Sequence, residues 1–339
     1  MNRAVIKAIA SYFPKTVLTN QQLGSEFSDL TAEKIFDKTG VSSRHIAAAG
    51  ECASDLGVGA ARRVFENGPY AAGDVDFLIF CTQTPDYFLP TTACLVQDQL
   101  GLRTDCGAID VNQGCSGYIY GLALAKSLIE AGTARNVLLI TADTYTKIIN
   151  RRDKTLRTLF GDGAAATFIT SAETDKEMVG PFVFGSDGSG AAELILSAGG
   201  MRNAANDEAK IEHDDGQGNW RSACDLYMNG GTVFNFAMRV VPTTVQKLLE
   251  KAGVEIDTVD YFIPHQANKF MLDRLRARMK IAPERFFCNM EQTGNTVSSS
   301  IPIAIEKARE MGLIGPGSRL MLLGFGVGLS WGGTFIELA

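Results

Sequence analysis

The stretch Asp110-Val111-Asn112-Gln113-Gly114-Cys115-Ser116 leads into an amphipathic run from Ile119 to Glu130. The stretch Gly294-Asn295-Thr296-Val297-Ser298-Ser299 leads into a similar run from Ile301 to Met311, with Ser298 lying 183 positions after Cys115. Each copy predicts a turn that contains glycine, followed by the start of a helix. The repetition indicates that the chain is built from two related halves.

Other segments repeat in the same order. The matched pairs are Val75–Ile79 with Val259–Ile263, Val137–Ile140 with Leu320–Leu323, and Thr167–Ile169 with Thr334–Ile336. Short apolar segments that alternate with helical runs predict a layered α/β fold. We place the first half at residues 1–172 and the second at 173–339, because the polar, non-periodic segment 171–176 lies at the junction.

The composition excludes several classes of protein. The chain has 45% apolar and 21% charged residues, a net charge of −6, and neither a signal peptide nor a membrane-spanning stretch by its pattern. A nucleic-acid partner is therefore not expected. The seven cysteines form no C-x-x-C pair, so free thiols in the cytoplasm are predicted, without disulfides or a metal site.

Cys115 is the strongest candidate for a reactive group. It lies between two glycines, in Gly114-Cys115-Ser116-Gly117, at the predicted start of a helix. The unpaired backbone N–H groups and the dipole of a helix start favour a thiolate and can hold an oxyanion. Most of the other six cysteines, Cys81 and Cys94 among them, are predicted to be small buried side chains.

Two more residues suit acyl transfer. His265 follows a predicted strand, and the carboxyl ends of strands are where α/β sheets place their chemistry. Asn295 lies in a Gly-Asn turn, and its amide beside a neutral imidazole would suit a site that binds a carbonyl or an enolate. Taken singly, a structural histidine and an ordinary turn are the simpler interpretations; His45 and His213 are predicted to be surface or ligand-contact positions.

The glycine-rich segments lack the context of a nucleotide-binding loop. Gly161–Ala164 and Gly324–Gly328 do not stand between a strand and a helix in a G-x-G-x-x-G pattern. We expect them to be loops that bring backbone close to the active centre. The segment Gly199–Gly231, rich in Gly, Asn and Asp, is predicted to be a surface excursion.

Taken together, these motifs resemble β-ketoacyl-acyl carrier protein synthase III of the thiolase superfamily. The resemblance covers almost the whole chain and rests above all on Gly114–Gly117, Phe160–Ala164, Pro264–Asn268 and Gly294–Thr296. It implies a five-layered αβαβα sandwich of two thiolase-like halves, and a homodimer. It also implies acyl-coenzyme A or acyl carrier protein thioesters as substrates, with no permanently bound cofactor.

The resemblance assigns roles to the candidate residues. Cys115 would take an acyl group from a thioester, and His265 with Asn295 would bind the malonyl thioester during decarboxylation and condensation. The backbone N–H groups of Cys115 and Val327 would form the oxyanion hole. Elongating relatives use a second His as the third catalytic residue. Asn295 stands in that place here, which indicates the synthase III branch.

Some positions depart from the housekeeping members of this family. The Trp and two Arg that grip the adenine nucleotide of coenzyme A correspond here to Lys34, Lys38 and Lys154. Lysine neutralises phosphate but does not stack on adenine as Trp or Arg can, so a carrier-protein-bound donor becomes an alternative.

The residues that correspond to the acyl pocket also differ. Asn112 and Gln113 stand where small apolar residues are usual, and Leu89 replaces an aromatic that limits the pocket. We therefore predict a primer other than acetyl and a specialised lipid or polyketide-like pathway, with housekeeping initiation left open.

A basic segment follows the candidate histidine and includes Asn268, another predicted donor-binding residue. Its cations are Lys269, Arg274, Arg276, Arg278 and Lys280. A solvated helix face is one interpretation. Docking of an acidic acyl carrier protein is the other, and we favour it, with Arg274 and Arg278 as its contacts.

Three functions follow from the sequence. The leading hypothesis is a condensing enzyme that uses Cys115 and then a malonyl or β-ketoacyl thioester in fatty acid, specialised lipid or polyketide synthesis. A non-condensing acyltransferase would pass the acyl group to an alcohol or amine. A non-catalytic partner subunit is the third, and the intact set of Cys115, His265 and Asn295 argues against it.

Overall fold

The computed structural model describes residues 1–339. Its strands are β1 Asn2–Tyr12, β2 Thr16–Thr19, β3 Ser43–Ile46, β4 Phe77–Cys81, β5 Gly107–Val111, β6 Asn136–Asp143, β7 Gly163–Glu173, β8 Val179–Ser186, β9 Leu194–Leu196, β10 His213–Asp214, β11 Trp220–Arg221, β12 Leu226–Met228, β13 Tyr261–Pro264, β14 Arg319–Gly326 and β15 Ser330–Glu337. Its α-helices are α1 Asn20–Glu26, α2 Ala32–Thr39, α3 Ala53–Asn67, α4 Thr92–Leu100, α5 Gly117–Glu130, α6 Lys154–Arg157, α7 Gly230–Ala252, α8 Lys269–Arg278 and α9 Ser300–Glu310.

Two mixed sheets form the frame of the molecule. The first has five strands in the order β1-β7-β6-β4-β5, and the second has four in the order β13-β14-β15-β8. In the first sheet β4 runs parallel to β5 and β6, and in the second β13 runs parallel to β14. The outer edge of β5 has no neighbouring strand.

The two sheets repeat the same pattern. The sequence β4, β6, β7, β1 across the first sheet corresponds to β13, β14, β15, β8 across the second. An isolated parallel bridge between Phe262 and Phe286 stands where β5 pairs with β4 in the first sheet. The duplication predicted from the sequence is confirmed in this strand order, whereas the division at residues 172 and 173 stays a proposal.

Helices and sheets alternate in five layers, as the family resemblance implied. The helices α5 and α9 lie between the sheets, since each packs against strands of both. On the outer faces, α3 and α4 cover the first sheet, and α7 covers the second with α8 packed against it. The middle layer is apolar because Ile119, Leu122 and Ile301 point into a core that both sheets share.

The predicted surface excursion is shorter than expected at its end. It contains the two small strand pairs β10–β11 and β12–β9, and most of its residues are exposed. It stops at Asn229, because the Asn229 side chain accepts a hydrogen bond from the backbone of Thr232 and caps α7, which starts at Gly230. No helix is both long and apolar enough to cross a membrane.

The prediction for the six other cysteines is largely wrong. Cys81 is buried at the end of β4. Cys94, on α4, and Cys288, after α8, are both exposed. The remaining three are partly exposed. Cys94 lies in the first turn of a helix that covers the sheet with one face only, so its position on the other face leaves the thiol in solvent.

Candidate active site

Cys115 is held in a tight turn between β5 and α5. The side chain is buried, and α5 begins two residues later at Gly117, as predicted. The hydroxyl of Ser116 is 2.8 Å from that of Ser330, which ties this turn to the second half of the chain. A Cβ atom at Gly326 would lie 2.8 Å from the Cys115 sulfur, so only glycine lets that loop pass.

His265 lies directly after β13, and its imidazole is fully inside the protein. Nδ1 is 2.7 Å from the Ser300 hydroxyl, which also accepts a hydrogen bond of 3.3 Å from the backbone N–H of Gln266. The hydroxyl proton of Ser300 has no other acceptor than Nδ1, and on this ground we assign the imidazole proton to Nε2. Burial lowers the pKa of His265 to about 3, and the ring is therefore neutral near pH 7.

Asn295 is fixed from both sides. Its backbone pairs with the loop around Phe160, donating to Leu159 at 2.9 Å and accepting from Gly161 at 3.1 Å. Its side-chain oxygen accepts from the backbone N–H of Val297 at 2.9 Å, which turns the amide nitrogen toward His265. The segments Gly161–Ala164 and Gly324–Gly328 thus both bring backbone to the site, as predicted.

Two hydrogen-bond donors converge in this arrangement. The Asn295 Nδ2 and His265 Nε2 atoms lie 3.4 Å apart, and both carry a hydrogen. Two neighbouring donors without an acceptor between them are arranged to bind one oxygen atom that carries partial or full negative charge.

A small cavity connects the three residues. Its volume is about 60 Å³, and Cys115, His265 and Asn295 all line it. Most of the other lining side chains are apolar; they include Phe160, Met228 and Phe325. Larger pockets exist on the surface, but they lie away from these residues and are mostly polar.

The backbone of Val327 reaches the nucleophile. Hydrogen bonds from the N–H groups of Val327 and of Cys115 itself favour the ionised sulfur. These two groups are those expected to form an oxyanion hole, and they meet at the sulfur atom to which an acyl carbonyl would be attached.

The expectation of a thiolate is wrong for the unliganded chain. Burial, reinforced by the nearby charge of Asp143, raises the pKa of Cys115 to about 12 in spite of the two backbone hydrogen bonds. The two backbone hydrogen bonds do not offset this desolvation. The resting group is therefore a thiol.

Alkylation of Cys115 by iodoacetamide should reveal this high pKa. Because the thiolate fraction grows tenfold per pH unit below the pKa, the rate should rise about tenfold for each unit between about pH 7 and 9.5. Subtracting the rate of Cys115→Ala removes the contribution of the exposed Cys94 and Cys288. A rate that levels off near neutral pH would show a thiolate instead.

The three residues predicted for the acyl pocket do not line this cavity. Leu89 is 81% exposed in the loop after β4, next to the exposed Tyr87 and Phe88. Asn112 is exposed beyond the end of the edge strand β5. The Gln113 side chain turns to Ser330, whose hydroxyl lies 3.3 Å from its Oε1. Asn112 and Gln113 directly follow the edge strand β5, whereas Leu89 lies in the loop between β4 and α4.

Two of the three predicted donor-binding lysines contact Asp29. Lys154 forms an ion pair with Asp29, and Lys34 donates to the backbone oxygen of the same residue at 3.4 Å. Hydrogen bonding to Lys154 lowers the pKa of Asp29. Lys38 is exposed near the end of α2. Asp29 thus already offsets part of the positive charge that a phosphate would use.

The basic segment forms the exposed face of α8. Asn268 caps this helix by accepting from Met271 at 2.8 Å, and it also lines the cavity. Arg274 lies over the exposed ring of Phe270, and Arg278 is exposed without a partner. The helix therefore starts at the cavity and carries unpaired cations outward. Of the other two histidines, His213 is exposed, while His45 is half-buried with Nδ1 2.7 Å from the Pro14 oxygen.

Several residues near the site were not predicted. Asp143, at the carboxyl end of β6, is fully buried, and burial raises its pKa to about 7; it accepts hydrogen bonds from Ser298 and Gln83. The strand-end rule that pointed to His265 would also have found Asp143. Ser300 and Arg44 carry no such signal, since their roles depend on contacts between distant segments.

Arg44 supports the turn of Asn295. Its side chain is completely buried, packs on Gly161 and Gly294, and donates to the Thr158 backbone oxygen at 2.8 Å. No carboxylate pairs with it, and burial lowers its pKa to about 10.

Comparison with known proteins gives one family. Residues 109–188 match the model of 3-oxoacyl-[acyl-carrier-protein (ACP)] synthase III, and residues 249–338 match that of its C-terminal part. The chain is 37% identical over 334 residues to the β-ketoacyl-[acyl-carrier-protein] synthase III of Caldanaerobacter subterraneus, covering 98% of this chain and 97% of that one.

Solved structures give the same result. The crystal structure of a 3-oxoacyl-(acyl-carrier-protein) synthase III is 51% identical, with a TM-score of 0.98 and coverage of 99% of this chain and 100% of that one. The 3-oxoacyl-(acyl-carrier protein) synthase of Burkholderia xenovorans is 34% identical, with a TM-score of 0.91 and coverage of 99% and 94%.

Proposed function

Because the chain belongs to the 3-oxoacyl-(acyl-carrier-protein) synthase III family, we propose that its condensing activity is carried by Cys115, His265 and Asn295. The observation that supports this most directly is the shared cavity, in which a buried thiol meets two convergent donors. The enzyme is an acyltransferase that joins an acyl group to a malonyl thioester in fatty acid or related synthesis.

In the first half-reaction, the sulfur of Cys115 attacks the carbonyl carbon of an acyl thioester. The new C–S bond forms as the bond to the carrier sulfur breaks, and the thiol proton ends on the released carrier thiol. The N–H groups of Val327 and Cys115 stabilise the oxyanion between these events. Each such donor contributes about 10²- to 10³-fold in rate.

In the second half-reaction, the malonyl thioester oxygen lies between His265 Nε2 and Asn295 Nδ2. The C–C bond to the carboxylate breaks, carbon dioxide leaves, and the electron pair becomes an enolate held by these two donors. The enolate carbon attacks the acyl carbon on Cys115, and the bond to its sulfur breaks. One proton taken up from water restores the thiol. A neutral imidazole suits this role, because it donates without losing its proton to the enolate.

Carbon dioxide release distinguishes condensation from transfer to an alcohol or amine. We expect release from a malonyl thioester to match the amount of β-ketoacyl product, and both to require acylated Cys115. Transfer of the acyl group to an added alcohol or amine without carbon dioxide release would favour the non-condensing alternative. The converging donors of His265 and Asn295 support condensation, because simple transfer needs no enolate site.

The donor we propose is an acyl group on a carrier protein, with acyl-coenzyme A as the alternative. The lysines that would hold the coenzyme A phosphates, Lys34 and Lys154, already contact Asp29. The exposed cations Arg274 and Arg278 suit an acidic carrier surface, and Asn268 at the start of the same helix lines the cavity.

Charge reversal on α8 should weaken use of the carrier protein. The double substitution Arg274→Glu and Arg278→Glu is expected to lower kcat/KM for malonyl carrier protein by about 10-fold or more, because rim charges steer the encounter of acidic and basic surfaces. With malonyl-pantetheine, which lacks the carrier surface, kcat/KM should change less than about twofold.

The matched control is Arg135→Glu with Lys247→Glu, which changes the net charge equally on exposed residues outside α8. Equal losses in the two double variants would assign the effect to net charge rather than to docking on α8.

A homodimer in the cytoplasm completes the proposal. The edge strand β5 has unpaired backbone groups and an exposed Ile109, and the neighbouring loop exposes Tyr87, Phe88 and Leu89. Such an apolar sheet edge is suited to pairing with a second copy. In such a dimer, Leu89 would line the acyl pocket of the second copy rather than that of its own chain. A monomer in sedimentation velocity would contradict the dimer.

A further inference from the structure

Three polar side chains form a chain of hydrogen bonds on the Gly114 side of the nucleophile. The Tyr145 hydroxyl donates to Oε1 of Gln83 at 2.5 Å, and Nε2 of Gln83 donates to Oδ1 of Asn112 at 3.5 Å. The backbone N–H of Gln83 donates to the buried Asp143 carboxylate at 2.8 Å, which fixes the base of this side chain. We call these three residues the Tyr145–Gln83–Asn112 network.

The direction of these bonds leaves donors at the outer end. Because Tyr145 donates to the oxygen of Gln83, the amide nitrogen of Gln83 faces Asn112, and Asn112 in turn presents its own Nδ2 outward. Neither the second hydrogen of Gln83 Nε2 nor Asn112 Nδ2 has an acceptor within the protein. Gln83 is half-buried and Asn112 is exposed in the single chain, so both amides are open to a ligand before a second copy covers the edge of β5.

The Tyr145–Gln83–Asn112 network lies directly beside Cys115. Oε1 of Gln83 occupies the space of a side chain at Gly114, since a Cβ atom there would be only 2.4 Å from it. The Tyr145 ring packs 5.3 Å from that of Phe160, which lines the Cys115 cavity. An acyl group on the Cys115 sulfur that extends past Gly114 therefore meets amide and hydroxyl groups, whereas the cavity on the other side of the sulfur is apolar.

We infer that the acyl group carried by Cys115 bears a neutral hydroxyl or carbonyl oxygen close to its thioester, and that the amides of Gln83 and Asn112 donate to this oxygen. The inference rests on the proposed function and specifies its substrate class. A plain alkyl group in the same place would cover these donors without pairing them, which is unfavourable. Sites built to hydrogen-bond a substrate oxygen discriminate strongly against the analogue that lacks it.

The buried Asp143 carboxyl group behind Gln83 disfavours a negative charge on this oxygen. Asp143 lies under the loop with no cation among its partners. A carboxylate at the end of the acyl group would approach the ionised form of this acid as a like charge, while a hydroxyl or a ketone would not. The preferred acyl group is therefore polar and uncharged.

Matched four-carbon thioesters on one carrier test the inference. Butanoyl, 2-, 3- and 4-hydroxybutanoyl and 3-oxobutanoyl thioesters would each be mixed with the full chain, and the rate of mass gain on Cys115 measured. At least one oxygenated group should react about 10-fold faster than butanoyl or better. Gln83→Leu should reduce this ratio by about 10-fold, and Asn112→Ala should reduce it too. Gln99→Leu, exposed on α4, is the control and should leave the ratio unchanged.

The outcomes separate the inference from the function on which it rests. Acylation of Cys115 by butanoyl as fast as by every oxygenated group would overturn the inference and leave the proposed function standing. No acylation by these or by longer thioesters would overturn both. Should Gln83→Leu lower the thermal unfolding midpoint, the exposed Asn112→Ala variant decides, and an unchanged ratio in that variant would overturn the inference.

Discussion

Replacement of His265 by Ala is expected to lower malonyl decarboxylation by about 10³-fold while acylation of Cys115 falls by less than about 10-fold. The reason is geometric: Nε2 lies 3.4 Å from the amide nitrogen of Asn295, and an enolate oxygen would accept hydrogen bonds from both atoms. The acyl oxyanion, in contrast, is served by the backbone of Val327 and Cys115. Carbon dioxide release and intact-protein mass measure the two half-reactions separately.

His213→Ala is the control for this prediction, since that histidine is exposed and its loss should leave both rates unchanged. Equal losses of acylation and decarboxylation in His265→Ala would contradict the division of roles, because they would make the imidazole a participant in both steps. Because the Ser300–His265 contact is buried, the thermal unfolding midpoint of His265→Ala must also be measured, and it should be unchanged if the lost activity is to be assigned to the imidazole.

Replacement of Gly326 by Ala is expected to abolish acylation of Cys115 almost completely, by about 10³-fold or more. The added Cβ would lie 2.8 Å from both the Cβ and the sulfur of Cys115, closer than carbon atoms approach in proteins. Either the sulfur moves away from the acyl carbonyl or the loop moves with the Val327 N–H, and each outcome separates the nucleophile from its oxyanion hole. Misplacement by about 1 Å already costs about 10²-fold.

Gly188→Ala provides the matched control, because a Cβ at that position meets nothing within 4 Å. Both variants would be compared for the rate of acyl-enzyme formation and for thermal unfolding. A Gly326→Ala enzyme that acylates as fast as the Gly188→Ala enzyme would show that the loop can withdraw without loss, and would remove Val327 from the proposed oxyanion hole.

The duplicated pattern carried the fold prediction. Short apolar segments and helix starts that recur in the same order predicted two related α/β halves, and the family resemblance added the five layers in which α5 and α9 form the middle one. The same pattern put Cys115 at a helix start and His265 at a strand end, because these positions depend on local sequence. The cavity that joins them with Asn295 also follows from the pairing of the two halves.

Properties that depend on contacts between distant segments were not predictable in this way. The high pKa of Cys115 comes from burial and from Asp143, and neither is visible in the motif around the cysteine. Ser300 orients the imidazole across 35 positions of sequence. The exposure of Asn112 arises because β5 is an edge strand, a property of sheet order rather than of the strand's own residues.

Intact-protein mass after mixing the full chain with acyl thioesters would show whether Cys115 carries the acyl group. The panel would hold short, medium and long acyl groups, plain and oxygenated, each on coenzyme A and on an acyl carrier protein. We expect a mass gain equal to one acyl group, which is lost in Cys115→Ala and is removed by malonyl carrier protein with release of carbon dioxide. A gain that persists in Cys115→Ala, or no gain with any donor, would contradict this role of Cys115.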